Sequence, residues 1–252
     1  MTLKSFFSFA AGFVVLFFLY HFPEFFNSFW ISAVFKTLVL VGAYIIARMQ
    51  GWKGWEGYGL GKIKHRWLFL VIGLCIGILF FSLSWLASIL FQFETITKMQ
   101  VWQQWMMQLP QIMLITFIPS LAEDILTRGY WYVHFSFLKS WHWVLLSAIV
   151  FVLNHIWRLN DGWAVLSYLF LLGIALAITI RLSHSLWPAL GIHWGANLAY
   201  QTIASFITTE NRVEHAGSTW LLAAAWALLV VVLLLMMQKK AFRKSFHETF
   251  VS

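Results

Sequence analysis

Two of the chain's nine acidic residues, Glu123 and Asp124, stand side by side in LAEDILTRG, behind a long uncharged run. Asp124 and Arg128 are spaced i, i+4 with the acid first, the favourable order for an ion pair on a helix. Glu123 then lies about 100° around the helix and stays available for chemistry. Two further segments carry polar groups of this kind. In SAIVFVLNHIW, Phe151 precedes His155 by four residues on one helix face. In SLWPALGIHWGANLAY, His193 and Asn197 share a face, and Gly191, Gly195 and Ala196 around them leave room for a substrate or a neighbouring helix.

A carboxylate beside a histidine suits hydrolysis of a peptide bond. It takes a proton from water in a site whose apolar walls raise the acid's pKa toward the working range. His193 and Asn197 supply donors for the oxyanion that then develops. The chain has neither a serine nucleophile elbow nor an HExxH zinc helix. Two histidines and a glutamate, here Glu123, His155 and His193, also form an acceptable catalytic zinc set with water in the fourth position. Against zinc stand the poor ligand character of asparagine and the origin of the ligands on three separate helices. Both versions stay open at this point, with no cofactor required by the first.

The elements that must position these residues are membrane helices. With 61% hydrophobic and 10% charged residues and a mean hydropathy of +0.78, the chain has too little polar surface for a water-soluble globule. An all-α, polytopic integral membrane protein is expected, a single domain over 1–252 with the motif-bearing core at about 105–206. Eight apolar segments approach the roughly 20 residues a span needs. They run from Leu3 to Tyr20, Ser28 to Ala47, Trp67 to Phe91, Gln108 to Thr127, Trp141 to Trp157, Trp163 to Ile180, Leu186 to Phe206 and Thr219 to Met237. The opening MTLKSFFSFAAGFVVLFFLYHF begins like a secretory signal but lacks a small-x-small cleavage site, so it reads as a retained first helix.

Basic loops stay cytoplasmic. With the N-terminus inside, that side collects Arg48, Lys53, Lys62, Lys64, Arg66 and the tail residues Lys239, Lys240, Arg243 and Lys244, among others, while the opposite side holds Lys98, Arg158 and Arg212. Both termini are therefore expected in the cytoplasm, with Lys36 inside the second span, where it snorkels or pairs. The net charge of +8 reports topology and contact with anionic lipid rather than nucleic acid. The lone Cys75 excludes a disulfide framework and a cysteine zinc site. Gly73 with Gly77, and Gly191 with Gly195, are small-xxx-small pairs of the kind that lets helix backbones approach.

Ionisable groups at membrane depth cost about 2.5–3.5 kcal/mol each on insertion scales. One buried histidine is often only a hydrogen bond between helices, and an Asp–Arg pair alone can simply close a helix end. Of nine histidines only His155 and His193 fall within expected spans, apart from His142 at the very start of the fifth. Three spans carrying Glu, His, and His with Asn make use the better explanation than accident.

The ordered set resembles the CPBP family, the CAAX protease and bacteriocin-processing (Abi) membrane endopeptidases. Its pattern of EExxxR, FxxxH and HxxxN is represented here by EDILTR at Glu123–Arg128, FVLNH at Phe151–His155 and HWGAN at His193–Asn197. The resemblance covers about Ile118 to Tyr200. It implies an intramembrane endopeptidase in which Glu123 and His155 activate water, His193 and Asn197 form the oxyanion hole, and Arg128 orients the acidic pair. The family has been described as both metalloprotease and glutamate-type. Asp124 departs from the second Glu of the pattern, at a position with a supporting role. The implied substrate is a membrane-associated peptide or protein, and the basic composition fits a bacterial plasma membrane. A non-enzymatic membrane partner, such as a bacteriocin-immunity protein, and a proton-coupled transporter are the competing readings. No inverted repeat supports the transporter.

Depth poses a problem for the site. Glu123 and His193 fall toward the cytoplasmic half of their spans and His155 near the outer end of its own. Their meeting requires a tilted helix, a break near Pro119, or different helix boundaries.

Overall fold

The computed structural model describes residues 2–212 and 216–238. His215 and His247, and the tail residues Lys239, Lys240, Arg243 and Lys244 used for topology, lie outside the described residues. Eight long helices make the body: α1 (Leu3–His21), α2 (Phe29–Met49), α3 (Arg66–Leu90), α4 (Trp102–Asp124), α6 (Ser140–Asn154), α7 (Trp163–Ser183), α8 (Trp187–Phe206) and α9 (Gly217–Gln238), with a short α5 (Tyr130–His134) following α4. By length and apolarity, six segments among the described residues suffice to cross a membrane: Leu3–Phe25, Phe29–Met49, Arg66–Leu90, Trp102–His134, Trp163–Ser183 and Gly217–Gln238. The α6 helix is apolar but short, and α8 carries the polar groups of the site.

The segment around Glu123 differs from the sequence expectation. In place of a span from Gln108 to Thr127, α4 begins at Trp102 and runs unbroken through Pro110 and Pro119. A single π-helical turn, Ile125–Gly129, then joins it to α5. Such wide turns insert a residue into the helix and redirect the side chains on either side.

The second surprise is a two-stranded antiparallel ribbon outside the helices. Strand β1 (Glu94–Met99) pairs with β2 (Ile207–Asn211), Glu94 opposite Asn211 and Met99 opposite Ile207, with a bulge between Ile96 and Lys98. It ties the α3–α4 connection to the end of α8. These strands fall between the expected spans, and a strand as short and exposed as β1 carries little hydrophobic periodicity to reveal it.

The two glycine pairs prove to be one interface. A Cβ on Gly77 would stand 2.1 Å from the Ile192 carbonyl oxygen, and one on Gly195 would stand 2.2 Å from that of Leu74. Gly73 and Gly191 approach each other in the same way. The small residues around His193 therefore admit a neighbouring helix, α3, and this close crossing sets the position of α8. Helix α7 fills the centre, with Leu172, Ala175, Leu176 and Ile178 buried, while α1 and α2 present much apolar surface outward, as lipid-facing helices do. On the basic-loop side, Tyr58 is buried and donates to the Ala43 carbonyl at 2.7 Å. Burial, with Tyr130 adding to it, pushes this phenol well above its usual range, so it remains a neutral donor.

Replacing Gly195 by Leu should drive α3 and α8 apart, lowering Tm sharply in detergent or abolishing the monodisperse protein. Gly61→Ala, whose new methyl meets only Glu56 at 3.9 Å, should leave Tm unchanged. Equal Tm values for the two variants would refute the close-crossing assignment.

Candidate active site

The depth problem is solved by a short helix rather than by a break at Pro119. Helix α6 has 15 residues, about 22 Å at 1.5 Å per residue, against a hydrocarbon core of about 30 Å. It ends at Asn154, three residues before the expected boundary, so His155 leaves the helix with φ −91° and ψ 50°. There it meets Glu123 from α4 and His193 from α8.

Glu123 is 6% exposed and Asp124 fully buried. The two carboxylates face different neighbours, as their 100° separation requires. Glu123 Oε1 lies 3.5 Å from His155 Nε2, and Glu123 Oε2 lies 3.8 Å from His193 Nε2. Asp124 pairs with Arg128 through a short contact from Arg128 Nη1 to Asp124 Oδ1. That same oxygen lies 3.1 Å from His193 Nδ1. Arg128 thus supports Asp124, and Asp124 in turn orients His193. This cross-helix link is absent from the i, i+4 spacing.

Both imidazoles are oriented by partners that can only accept. The His155 Nδ1–H donates to the Phe151 carbonyl at 2.8 Å, and the His193 Nδ1–H donates to Asp124. Each Nε2 is left facing the Glu123 carboxylate. Phe151 is the packing centre. Its ring contacts both histidines edge-on, at centroid distances of 4.8 Å to His155 and 5.7 Å to His193, and Arg128 sits over its face at 4.2 Å. The FxxxH spacing therefore serves support for both histidines and a cover for the buried guanidinium.

Asn197 does not touch Glu123 directly. Its Nδ2 donates to Ser120 Oγ at 3.0 Å, and it lines a cavity of about 350 Å³ together with Phe151, His155 and His193. Glu123 lies immediately behind the two histidines.

Sequence reasoning missed the far side of Glu123. The Tyr20 hydroxyl donates to Glu123 Oε2 at 3.0 Å, and Asn154 Nδ2 donates to Oε1 at 3.3 Å. Asn154 Oδ1 is met in turn by His21 Nε2 at 3.1 Å, and His21 Nδ1 by Glu24 at 2.7 Å. Glu24 also accepts from Trp157 Nε1 through a short contact, fastening the turn beyond His155 to the end of α1. Lys36 neither snorkels nor stands alone. It lies 3.6 Å from Glu24, donates to the Tyr20 carbonyl at 2.7 Å and packs on the Tyr20 ring. A buried lysine within a span and the YHFPE cluster across the end of α1 were the available signals. Neither names a partner more than a hundred residues away.

The donor types around Glu123 suit zinc, but the spacing does not. Among the described residues, no group of three or more His, Cys, Asp or Glu converges to hold an ion.

Residues 103–199 match the family described as type II CAAX prenyl endopeptidase, Rce1-like. That stretch contains the acidic pair, Arg128, both histidines and Asn197. No curated protein and no solved structure matches the chain.

Two outcomes are expected from this geometry. Tyr20→Phe removes a hydrogen bond to a carboxylate, an interaction of roughly 1.5–3 kcal/mol, and should lower kcat about tenfold or more with KM little changed in steady-state peptide cleavage. Arg128→Leu strands the buried Asp124 charge, at a cost of about 3–5 kcal/mol, and should appear as a large fall in unfolding midpoint as well as lost activity. Unchanged stability in that variant would contradict the pairing.

Proposed function

We propose that this chain, whose residues 103–199 match the type II CAAX prenyl endopeptidase family, is a membrane-embedded protease that hydrolyses a peptide bond of a membrane-associated substrate with a water activated by Glu123 and His155. The observation that carries the reading is the orientation of the imidazoles. With the His155 Nδ1–H given to Phe151, its Nε2 and Glu123 Oε1 are two acceptors 3.5 Å apart. A water seated beside them donates a hydrogen to each.

As the water oxygen bonds to the substrate carbonyl carbon, its proton passes to Glu123 and the carbonyl electron pair moves onto oxygen. The oxyanion accepts from the second N–H of the Asn197 amide and from His193 Nε2–H. That donation requires a hydrogen on both ring nitrogens of His193, since the Nδ1–H is given to Asp124. The C–N bond then breaks, the leaving nitrogen takes the proton from Glu123, and the carboxylate is restored. Tyr20 and Asn154 hold Glu123 throughout without touching substrate. No step is routed through a metal.

The test compares wild-type protein purified in detergent with Glu123→Gln and His193→Ala on a membrane-peptide library, with and without a strong chelator. Loss of the general base should lower turnover by roughly 10²–10⁴-fold, and the chelator should leave wild-type cleavage unchanged. Cleavage abolished by chelator and restored by zinc would make the histidines ligands and refute the water mechanism as written. A folded Glu123→Gln chain that keeps its full biological effect would favour the non-enzymatic partner.

A further inference from the structure

The cavity that reaches the histidines extends to one end of the bundle. It is lined by His155, His193 and Asn197 and, toward the ribbon, by Ser88, Glu94, Arg158 and Ser218, of which Ser88 is itself buried. Those four stand at the end of α3, on β1, on the turn after α6 and at the start of α9. All belong to the ribbon end. The other approach to Glu123 is closed. The wide turn Ile125–Gly129 and Tyr130 after it are buried throughout. Tyr58 from the basic loop lies against Gly129 so closely that a Cβ there would stand 2.8 Å from it.

Charge distinguishes the two ends. Lys53, Lys62, Lys64 and Lys139, together with the helix-end residues Arg48 and Arg181, lie at the closed end, whereas the ribbon end holds Lys98, Arg158 and Arg212. Within short loops, the lysine- and arginine-rich side is the cytoplasmic one. The remaining walls are aromatic, with Phe81, Trp85, Tyr200 and Trp226, a lining that takes apolar side chains of an extended segment.

We propose that the substrate is a membrane-tethered peptide whose apolar cleavage segment is presented from the extracytoplasmic side and enters from the ribbon end. This rests on the water mechanism at Glu123 for the cleavage itself, but the direction of access stands on the cavity and the loop charges. A tail displayed in the cytoplasm meets the sealed face and is not cut.

Sidedness and chemistry are separable by experiment. In a Cys75→Ser background expressed in bacterial cells, Ser218→Cys should react with a membrane-impermeant maleimide on intact cells. Lys62→Cys should react only after permeabilisation. The reverse pattern overturns the proposal, whether or not any peptide is turned over, and wild-type mobility in detergent checks that each variant folds. In sealed right-side-out vesicles, a single-span reporter with its quenched peptide outside should be cleaved, and one with the peptide inside should not. Cleavage of the inner version alone overturns the direction of access. Outer cleavage that persists in Glu123→Gln leaves the direction standing and removes the catalytic role of Glu123.

Discussion

Everything in this molecule is arranged around two adjacent carboxylates buried in a membrane-embedded helix. A carboxylate at that depth persists only if opposite charge and hydrogen-bond donors replace the water it has lost. Asp124 is met by Arg128 and His193, and Glu123 by Tyr20, Asn154 and the two site histidines. These partners come from α1, α6, α8 and the wide turn, so the need to satisfy one dipeptide holds four regions of the chain in place. The packing of Arg128 over Phe151 joins this electrostatic centre to the hydrophobic core.

Three backbone devices let those partners converge. The wide turn after Asp124 places Arg128 beside Asp124 while the helix continues toward α5. The early end of α6 delivers His155 beside Glu123. The glycine-on-glycine crossing of α3 and α8 brings the His193 helix close, with backbone carbonyls where side chains would otherwise intervene. Each departs locally from an ideal membrane helix, and each lies within or directly beside the site, where such departures are tolerated because the surrounding packing compensates for them.

The division between stretches inside and outside the matched region is also informative. Residues 103–199 carry every group that touches the reaction in the proposed chemistry. The support for the far side of Glu123 comes instead from Tyr20, His21, Glu24 and Lys36 on the first two helices. The first span thus helps to build the candidate site as well as anchoring the chain in the membrane.

The sequence by itself determined the membrane-helical architecture, since composition and apolar run length leave no other solvent for this chain. It also singled out Glu123, His155, His193 and Asn197, because ionisable and polar groups at membrane depth stand out against an apolar background. The pairing of Asp124 with Arg128 was legible because i, i+4 contacts are local. Only the tertiary structure decided what depends on helices meeting across long separations: Asp124 on His193, Tyr20 and Asn154 on Glu123, Ser120 on Asn197, and the two glycine pairs on each other. The end of α6 at Asn154 belongs there too, since an apolar run shows where a helix is able to continue, while packing and the hydrogen bonds of Asn154 and His155 set where it stops.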